Sequence, residues 1–548
     1  IETLVAVPEW GAYRPREADA AAADFAHGRV LLCALPGIDP AALASSLPKC
    51  TVEAIASPGV DDPASRYQAI ALQVFERLQS ALKQPAGAST LVQCVIGDTP
   101  EALLSSGLGA MLKTAALENP ALSAQLVIVE AAVSLQQLAG QLTHASAQSH
   151  LSPIQCRAEE WRPLDWKTLP HFADGGAEHP YKEDGVYVIT GGLGGLGSVF
   201  AQDILAHAQH AQVVVTGRSP LDDAIRQRLD ASEYASRLHY RALDLGDSAR
   251  CVSTIEDIQS NIGKIRGILH CAGARNDNVI LKKTAQEMAE VLAPKVQGTW
   301  HLDAATRHLD LDFFALFSSG VSVFGNVGQA DYAAANGFMD AFARYRTQLT
   351  SQQSRSGRTI AINWPLWQDG GMRPEAETLQ WLQARTGMMP MRTASGIAVL
   401  CRALVSGHEQ VLAVEGDVRK LRRLFDAPSA RVVAKPAPVM QTTTQATAQT
   451  IEQPAAMPAT GDLRTQARDF LRREFAPVLK IAAAQIDIHE ALENYGINSI
   501  LAMNLTSQLE KHFGQLPKTL FFEYQTIDAL SEHLVQAHAA TLQSLLNP

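Results

Sequence analysis

The sequence predicts an α/β protein with two doubly wound parallel sheets in succession, followed by a small all-α helical bundle. Three observations predict this fold class. Short apolar strands alternate with helical stretches in the first 150 residues and again from residue 185 to residue 428, which is typical of parallel sheets covered by helices. A stretch rich in Ala, Thr, Gln and Pro follows. The residues beyond it show only helical periodicity. A chain of 548 residues has room for roughly three or four folding units.

The first region has this alternation but lacks a nucleotide-binding turn. Its predicted strands are residues 29–33, 90–95 and 125–129, and its predicted helices are residues 66–82 and 101–117. No glycine-rich turn follows the first of these strands, so we expect this half to bind no nucleotide. Gly107 and Gly109 fall inside the second predicted helix, where we expect them to permit close packing of the helix rather than to bind phosphate.

Composition argues against several classes of function. The net charge of −10 argues against a nucleic acid partner, because phosphate binding needs clustered Lys and Arg. The sequence has neither an apolar run long enough to span a membrane nor the pattern of a signal peptide. The seven cysteines are widely spaced and several lie in strand-like runs, which predicts reduced thiols in a cytoplasmic protein. Because the chain opens at Ile1 without Met, we expect it to be a piece of a longer protein.

The sixteen histidines show no spacing that is typical of a metal site. His207 and His210 are able to share one face of a helix, but no third ligand is evident near them in the sequence. We therefore predict no metal site and interpret both residues as surface histidines.

A glycine-rich turn in the second region predicts a dinucleotide site. An apolar strand at residues 186–189 leads into the turn, and a helical run through Ala206 follows it. Glycines let the backbone approach a pyrophosphate, and the start of the helix offers free N–H groups and the positive end of its dipole. This order is typical of a Rossmann-like nucleotide site, with a purely structural turn as the alternative. The predicted contacts of the turn are Thr190, Gly191, Gly192, Leu193, Gly195 and Gly197.

The ends of the following strands indicate which dinucleotide binds. Arg218 and Ser219 follow the strand at residues 212–216, where an NAD site usually places an acid for the ribose 2′-hydroxyl. A guanidinium is suited instead to a 2′-phosphate, so we predict NADPH, with a surface arginine as the alternative. Asp244 and Leu245 follow the third strand, where we predict contact with the adenine. Ala272 and Gly273 follow the fourth strand, where we predict contact with the nicotinamide ribose.

Four polar residues further along the chain form a set suited to reducing a ketone. Ser319 follows the strand at residues 313–317, and Tyr332 and Asn336 lie one helical turn apart on one face. Lys295 is predicted on the preceding helix. Hydride delivery to a ketone creates an alkoxide, to which a tyrosine gives a proton if an ammonium stabilises the phenolate. A serine hydroxyl holds the carbonyl oxygen, and Asn336 relays protons or positions Lys295. The alternative for each of these four residues, considered alone, is an ordinary polar residue near the end of a strand.

Residues 185–428 resemble the short-chain dehydrogenases, and in particular the ketoreductases of polyketide synthases. Ordinary members of this fold carry the lysine four residues after the tyrosine. Here Asn336 takes that position and Lys295 comes earlier, which is similar to the synthase ketoreductases and to vertebrate-type fatty acid synthase. Residues 363–372 resemble the segment that flanks the nicotinamide and leads into the substrate lid, and residues 1–182 resemble the truncated, cofactor-free structural half. The resemblance implies NADPH-dependent reduction of a β-ketoacyl thioester to a β-hydroxyacyl thioester.

A helix that starts at a serine is the main motif of the last region. Residues 495–500 lead into a helical run with apolar residues at positions 501, 505 and 509. The stretch resembles an acyl carrier protein, whose matching serine, here Ser499, carries covalent 4′-phosphopantetheine. A serine at a helix start is otherwise an ordinary N-cap. Carriers usually have aspartate before this serine, whereas this chain has Asn498, which puts recognition by some phosphopantetheinyl transferases in doubt.

The resemblance also implies a stereochemical outcome. Ketoreductases that give the D-configured hydroxyl, called B-type, carry a Leu-Asp-Asp motif after the fourth strand, of which only Asp277 is kept in Arg275-Asn276-Asp277. Those that give the L-configured hydroxyl carry a tryptophan eight residues before the tyrosine, where this chain has Phe324. Both features favour the D product, with an ordinary loop acid at Asp277 as the alternative.

The resemblance further implies a domain order and a set of partners. The expected domains are a structural subdomain, a catalytic NADPH-binding subdomain, a flexible linker and an acyl carrier protein: residues 1–182, 183–428, 429–461 and 462–540. The expected partners are the acyl chain on the carrier, a phosphopantetheinyl transferase and neighbouring ketosynthase, acyltransferase and, as an optional member, dehydratase domains. Two competing interpretations are a free-standing 3-oxoacyl-carrier reductase and a silent reductase that only presents a carrier.

Overall fold

A computed structural model of the chain describes most of its residues. The described residues are 1–11, 25–56, 59, 62–83, 89–157, 160–170, 172, 178–371, 376–426, 460–479, 481–495 and 499–546. They fall into two compact units, one with all described strands and the helices up to residue 426, the other with the helices from residue 460 onward. No helix among these residues is long and apolar enough to cross a lipid bilayer.

The N-terminal half of the first unit alternates strands and helices. Its elements are β1 (Glu2–Trp10), β2 (His27–Cys33), α1 (Pro40–Ser46), β3 (Cys50–Ile55), α2 (Pro63–Leu82), β4 (Thr90–Gly97), α3 (Leu108–Glu118), β5 (Leu122–Val129), α4 (Leu135–Ala147), β6 (Ile154–Arg157) and β7 (Glu160–Leu169). The three predicted strands are confirmed as β2, β4 and β5. The second predicted helix begins instead as a 3₁₀ helix at Ala102–Gly107 and continues as α3.

The C-terminal half of this unit repeats the alternation. Its elements are β8 (Val186–Thr190), α5 (Gly195–His207), β9 (Gln212–Gly217), α6 (Asp223–Asp230), β10 (Leu238–Ala242), α7 (Ser248–Asn261), β11 (Ile265–His270), α8 (Ala285–Leu292), α9 (Gln297–Thr306), β12 (Phe313–Ser319), α10 (Gly320–Phe324), α11 (Ala330–Ser351), β13 (Arg358–Trp364), α12 (Ala376–Thr386), β14 (Met388–Met389), α13 (Thr393–Val405), β15 (Gln410–Gly416) and α14 (Val418–Asp426). The strands predicted at residues 186–189, 212–216 and 313–317 are confirmed as β8, β9 and β12.

The strands of both halves belong to one continuous sheet. Its order is β10-β9-β8-β11-β12-β13-β15-β1-β7-β6-β5-β4-β2-β3, and β14 pairs with β15. Neighbours are parallel from β10 to β15 and from β6 to β3. The antiparallel strands β1 and β7 join the two parallel parts. The two predicted sets of parallel strands are therefore confirmed, and they belong to one sheet. Strands such as β4 and β8 are buried throughout and apolar because helices cover both faces.

The N-terminal half packs directly on α11, the helix that carries Tyr332. The Tyr67 hydroxyl of α2 donates a hydrogen bond to the carbonyl oxygen of Ala334 at 2.8 Å. Gly107 lies against Gly337 so closely that a Cβ at Gly107 would sit 2.6 Å from the Gly337 carbonyl carbon. The prediction that Gly107 permits close packing is confirmed, and its partner helix holds a predicted catalytic residue.

Helices are the only regular secondary structure among the described residues of the second unit. Its helices are α15 (Thr460–Leu479), α16 (Ser499–Phe513), α17 (Leu520–Glu523), α18 (Ile527–Ala537) and α19 (Ala539–Leu546). Two of the three predicted core positions of α16, Leu505 and Leu509, are fully buried, and they pack with Leu471 and Leu530 of the neighbouring helices. The predicted small all-α bundle is confirmed. Residues 427–459, which include most of the predicted linker, lie outside the described residues.

Candidate active site

The glycine-rich turn after β8 has the geometry of a tight phosphate loop. Gly191 has a φ of +65°, and a Cβ there would lie 2.9 Å from Ala272 Cα. A Cβ at Gly192 would lie 2.5 Å from Val215 in β9, and one at Gly197 would lie 2.5 Å from Gly192 Cα. Side chains are therefore excluded at these positions. The first turn of α5 has no side-chain cap at Gly194, so its N–H groups stay available to an anion.

A cleft opens beside this turn, between the ends of the strands and α6. Of the predicted cofactor contacts, five line it: Gly191, Leu193, Ser219, Ala272 and Gly273. Gly192, Gly195 and Gly197 shape the loop behind the cleft. Thr190 is fully buried and its hydroxyl binds His270 Nδ1 at 2.6 Å, which holds the ends of β8 and β11 together.

The predicted 2′-phosphate and adenine contacts lie at the outer part of this region. Arg218 is exposed at the end of β9. Arg228 of α6, which the sequence did not single out, lines the cleft and donates to the Leu193 carbonyl oxygen at 2.9 Å. Asp244 is exposed and accepts from Gly246 N at 2.9 Å, whereas Leu245 is buried. Two arginines therefore flank this end of the cleft, of which only Arg218 follows a strand and was recognisable from the sequence.

Tyr332, Ser319 and Asn336 meet at the start of α11. Asn336 is fully buried, and its Nδ2 donates to the Tyr332 carbonyl oxygen at 2.7 Å. Asn336 Oδ1 is buried with no hydrogen-bond partner among the described residues. Ser319 ends β12, and its Oγ accepts from Val321 N at 3.2 Å. Burial raises the pKa of the Tyr332 phenol, while hydrogen bonds from the Asn336 and Ser319 side chains oppose that rise. The phenol is therefore a protonated donor held next to the Ser319 hydroxyl.

Lys295 lies in the turn between α8 and α9, so its predicted place on a helix is wrong. The turn is forced because Pro294, which lacks an N–H, precedes it. Lys295 Nζ donates to the Phe317 carbonyl oxygen at 2.8 Å and lies 5.8 Å from the centroid of the Tyr332 ring. Burial lowers the pKa of Lys295 to about 8. The ammonium is therefore charged at neutral pH and close enough to stabilise a phenolate. Its position is set by its bond to Phe317, and Lys295 Nζ donates no hydrogen bond to Asn336 Oδ1, which has no partner among the described residues.

A buried ion pair that sequence reasoning missed supports Tyr332, the predicted proton donor. Lys283 Nζ and Asp331 Oδ2 are 2.6 Å apart and essentially unexposed. Lys283 also donates to the Asn276 carbonyl oxygen, and Asp331 Oδ1 accepts from Tyr332 N at 2.7 Å. The pair therefore ties the loop after β11 to the first turn of α11. Removing one member of a buried pair leaves an uncompensated charge, which costs about 3–5 kcal/mol.

The two predicted stereocontrol residues flank this site at the surface. Asp277 is half exposed, accepts from Gln329 Nε2 at 2.9 Å and lies 3.9 Å from Arg275. Phe324 ends α10 and is 37% exposed. Lys113 of the N-terminal half donates to the carbonyl oxygen of the preceding residue, Val323, at 2.9 Å. Asp277 thus has a fixed orientation beside the entry to α11.

In the helical unit, Ser499 is the first residue of α16. Residues 496–498, and with them the predicted departure at Asn498, lie outside the described residues. The preceding segment is anchored by Tyr495, whose hydroxyl accepts from Asp487 N at 2.8 Å. The predicted attachment point therefore stands at the N-terminus of a helix in the carrier-like bundle.

Comparison with known proteins agrees with these features. The KR domain family matches residues 185–369, and the family described as a phosphopantetheine attachment site matches residues 469–534. The chain is 38% identical to polyketide synthase PksL of Bacillus subtilis (strain 168), over 91% of this chain and 11% of that protein. It is 31% identical to polyketide synthase ThaG of Burkholderia thailandensis, over 93% of this chain and 9% of that protein. The chain therefore spans about a tenth of the length of the curated relatives it matches.

The fold comparison agrees with the sequence comparison. The crystal structure of a ketoreductase domain from the bacillaene assembly line aligns with a TM-score of 0.72 and 33% identity, over 77% of this chain and 99% of that one. The shared region includes part of the N-terminal half, because 77% of the chain is more than all of the residues from 185 onward.

Proposed function

This chain belongs to the polyketide synthases, as a ketoreductase followed by an acyl carrier domain, and we propose that it reduces a β-ketoacyl thioester on that carrier to the β-hydroxyacyl thioester with NADPH. The observation that carries the proposal is the junction of the glycine cleft with the tyrosine site. Gly273 lines the cleft, and a Cβ there would lie 2.9 Å from Lys295 Cε. Lys295 in turn lies 5.8 Å from the Tyr332 ring.

The residues of this site divide the work of reduction. The uncapped first turn of α5 and the side-chain-free glycine loop fit a pyrophosphate, and a bound nicotinamide supplies the hydride. The Ser319 hydroxyl holds the ketone oxygen, and the Tyr332 phenol donates the proton that the developing alkoxide needs. The Lys295 ammonium stabilises the phenolate left behind. Asn336 holds the first turn of α11 through the Tyr332 carbonyl oxygen, and its buried Oδ1 has no hydrogen-bond partner within the described part of the chain.

The function is tested by NADPH consumption with a β-ketoacyl thioester on the carrier. We expect oxidation of NADPH in step with formation of the β-hydroxyacyl product. A silent reductase that only presents a carrier would bind its acyl chain without consuming NADPH, and this result would overturn the proposal. Because the chain is about a tenth of the length of its relatives, we further propose that other synthase domains deliver the substrate and receive the product.

Cofactor preference is expected to depend on Arg218. Charge-assisted hydrogen bonds contribute roughly 1.5–3 kcal/mol, so Arg218→Ala should weaken NADPH binding on the order of 10- to 150-fold and leave NADH binding nearly unchanged. Kd values for the two nucleotides measure the effect. Arg226→Ala, which removes an exposed arginine of α6 outside the cleft lining, is the matched control. If Arg218→Ala kept the preference for NADPH over NADH, Arg228 and not Arg218 would be assigned to the 2′-phosphate.

The proposed product is the D-configured hydroxyl. A nicotinamide bound in this cleft would supply hydride from one face only, so the side from which the thioester arm enters would decide which ketone face is reduced. Asp277, fixed by Gln329 at 2.9 Å, is proposed to bias that entry. Chiral chromatography of the reduced thioester should give mainly the D product, with lower stereochemical purity in Asp277→Ala but not in Asp310→Ala, an exposed acid elsewhere in the unit. A mainly L product from the wild type would contradict this assignment.

A further inference from the structure

Three side chains with metal-binding chemistry form a cluster that does not line the reductase cleft. They are His179 in the segment before β8, Asp203 on α5 and Cys401 on α13. We propose that this cluster is a zinc site with three protein ligands and solvent as the fourth. The sequence did not indicate it because its members are far apart along the chain. His207 is the last residue of α5 and His210 lies beyond the end of that helix, so the two do not share a helix face, and neither is a member of the cluster.

The ligand atoms lie at separations that suit a tetrahedral ion. His179 Nδ1, Asp203 and Cys401 Sγ offer atoms that all lie within 4.8 Å of one another. His179 Nδ1 is 3.6 Å from Asp203 Oδ2 and 3.6 Å from Cys401 Sγ. Zn–N and Zn–O bonds of about 2.0–2.2 Å and a Zn–S bond of about 2.3 Å make the edges of a tetrahedron about 3.4–3.6 Å. Both measured separations therefore match such edges, and only small side-chain movements are needed.

His207 borders the cluster without being one of its ligands. It lies one helical turn after Asp203, and its Nδ1 is 2.9 Å from the Asp203 carbonyl oxygen and 3.1 Å from Asp203 Oδ1. Its ring stacks on that of His179 with centroids 3.5 Å apart, so the two ring planes do not meet at one ion. An imidazole, a carboxylate and a thiolate form a borderline-soft set that suits Zn²⁺, whereas Mg²⁺ and Ca²⁺ prefer oxygen ligands alone.

The charge of Asp203 is a second, independent observation. Its side chain is 2% exposed, and its ion-pair partners in the described part of the chain are His179 and His207. No lysine or arginine is paired with it there. A buried carboxylate is costly unless it is paired with a cation or coordinates a metal. Tyr181 donates its hydroxyl to Asp203 Oδ2 at 2.8 Å, as outer partners of metal-bound carboxylates do.

Such an ion would join three segments of the reductase unit. It would hold the segment before β8 and α13 against α5, the helix whose first turn forms the phosphate loop. His179 and His207 are 25% and 45% exposed, so an ion has a path to the site. On binding, the Cys401 thiol loses its proton to solvent and ligates as the thiolate. Zinc would therefore stabilise the folded unit without taking part in the reduction.

Metal binding by the full chain, purified without a histidine tag, tests the proposal with Zn²⁺ itself as the probe. Equilibrium dialysis should give one Zn²⁺ per chain, and Zn²⁺ should raise the Tm because it binds the folded state. Co²⁺ in its place should show tetrahedral d–d bands and a thiolate charge-transfer band in the near ultraviolet. Cys401→Ser should remove the charge-transfer band, and both Cys401→Ser and His179→Gln should lose the bound metal.

Matched controls keep the result decisive. Cys251→Ser removes a buried thiol outside the cluster, and His210→Gln removes an exposed histidine near it in sequence; both should bind Zn²⁺ like the wild type. Tyr181→Phe should weaken binding on the order of 10- to 100-fold, as loss of an outer-shell partner does. The proposal would be overturned if the wild type did not retain Zn²⁺, or if His179→Gln bound Zn²⁺ as tightly as the wild type. The His179 ring is partly exposed, so the fold should tolerate its loss. NADPH oxidation by the zinc-free variants should be unchanged, so a failure of the zinc proposal would be distinguishable from a failure of the proposed reductase function.

Discussion

Replacement of Tyr332 by phenylalanine should nearly abolish reduction while NADPH still binds. The change removes the phenol hydroxyl, on a ring that lies 5.8 Å from Lys295 Nζ, and general acid catalysis contributes about 10²–10⁴-fold to a rate. The ring itself stays, so the packing of the first turn of α11 is kept. Turnover of a β-ketoacyl thioester measured as NADPH oxidation should fall by that factor, while the Kd for NADPH should stay close to that of the wild type.

Tyr345→Phe is the matched control, because this tyrosine lies further along the same helix and packs against Trp300 and Phe342. Its rate should stay near that of the wild type. Near-normal turnover in Tyr332→Phe would assign the proton donor to another residue. A loss of NADPH binding in Tyr332→Phe would show instead that the substitution disturbs the cleft.

Replacement of Ser499 by alanine should abolish loading of the carrier completely. Phosphopantetheine is joined to the serine oxygen, and alanine has no atom to which it can be attached. Incubation with coenzyme A and a broad-specificity phosphopantetheinyl transferase should add one arm to the wild type and none to Ser499→Ala, as read by intact-protein mass spectrometry. Ser507→Ala removes a hydroxyl from the same helix, α16, and should load like the wild type. An added arm on Ser499→Ala would place the attachment elsewhere.

Much of the reductase fold could be predicted from the sequence because the local pattern of apolar residues and glycines agrees with the tertiary structure there. Strands β8, β9 and β12 are continuous apolar runs, as strands buried on both faces must be. The glycines of the phosphate loop were predictable because only they fit where Gly191 and Gly192 approach the neighbouring strands. Tyr332 and Asn336 were placed together correctly because helical periodicity alone sets their spacing.

The features that the sequence did not reveal depend on contacts between segments that are far apart along the chain. Strand β1 joins the two parallel parts of the sheet, but it contains Pro8, which weakens a strand signal, and its role depends on partners in β7 and β15. Lys295 was assigned to a helix because its neighbours favour one, although Pro294 ends that helix. The Lys283–Asp331 pair and the lining of the cleft by Arg228 join residues that no sequence spacing relates.

The central claim is that this chain reduces a β-ketone carried on its own Ser499, and mass spectrometry of the loaded carrier tests it most directly. The wild type is charged with a β-ketoacyl phosphopantetheine arm and mixed with NADPH in a single turnover. We expect the mass of the acylated carrier to rise by two hydrogen atoms, and Tyr332→Phe to show almost no gain in the same time. An acylated carrier that keeps its mass while NADPH is bound, or an equal gain in Tyr332→Phe, would contradict the account.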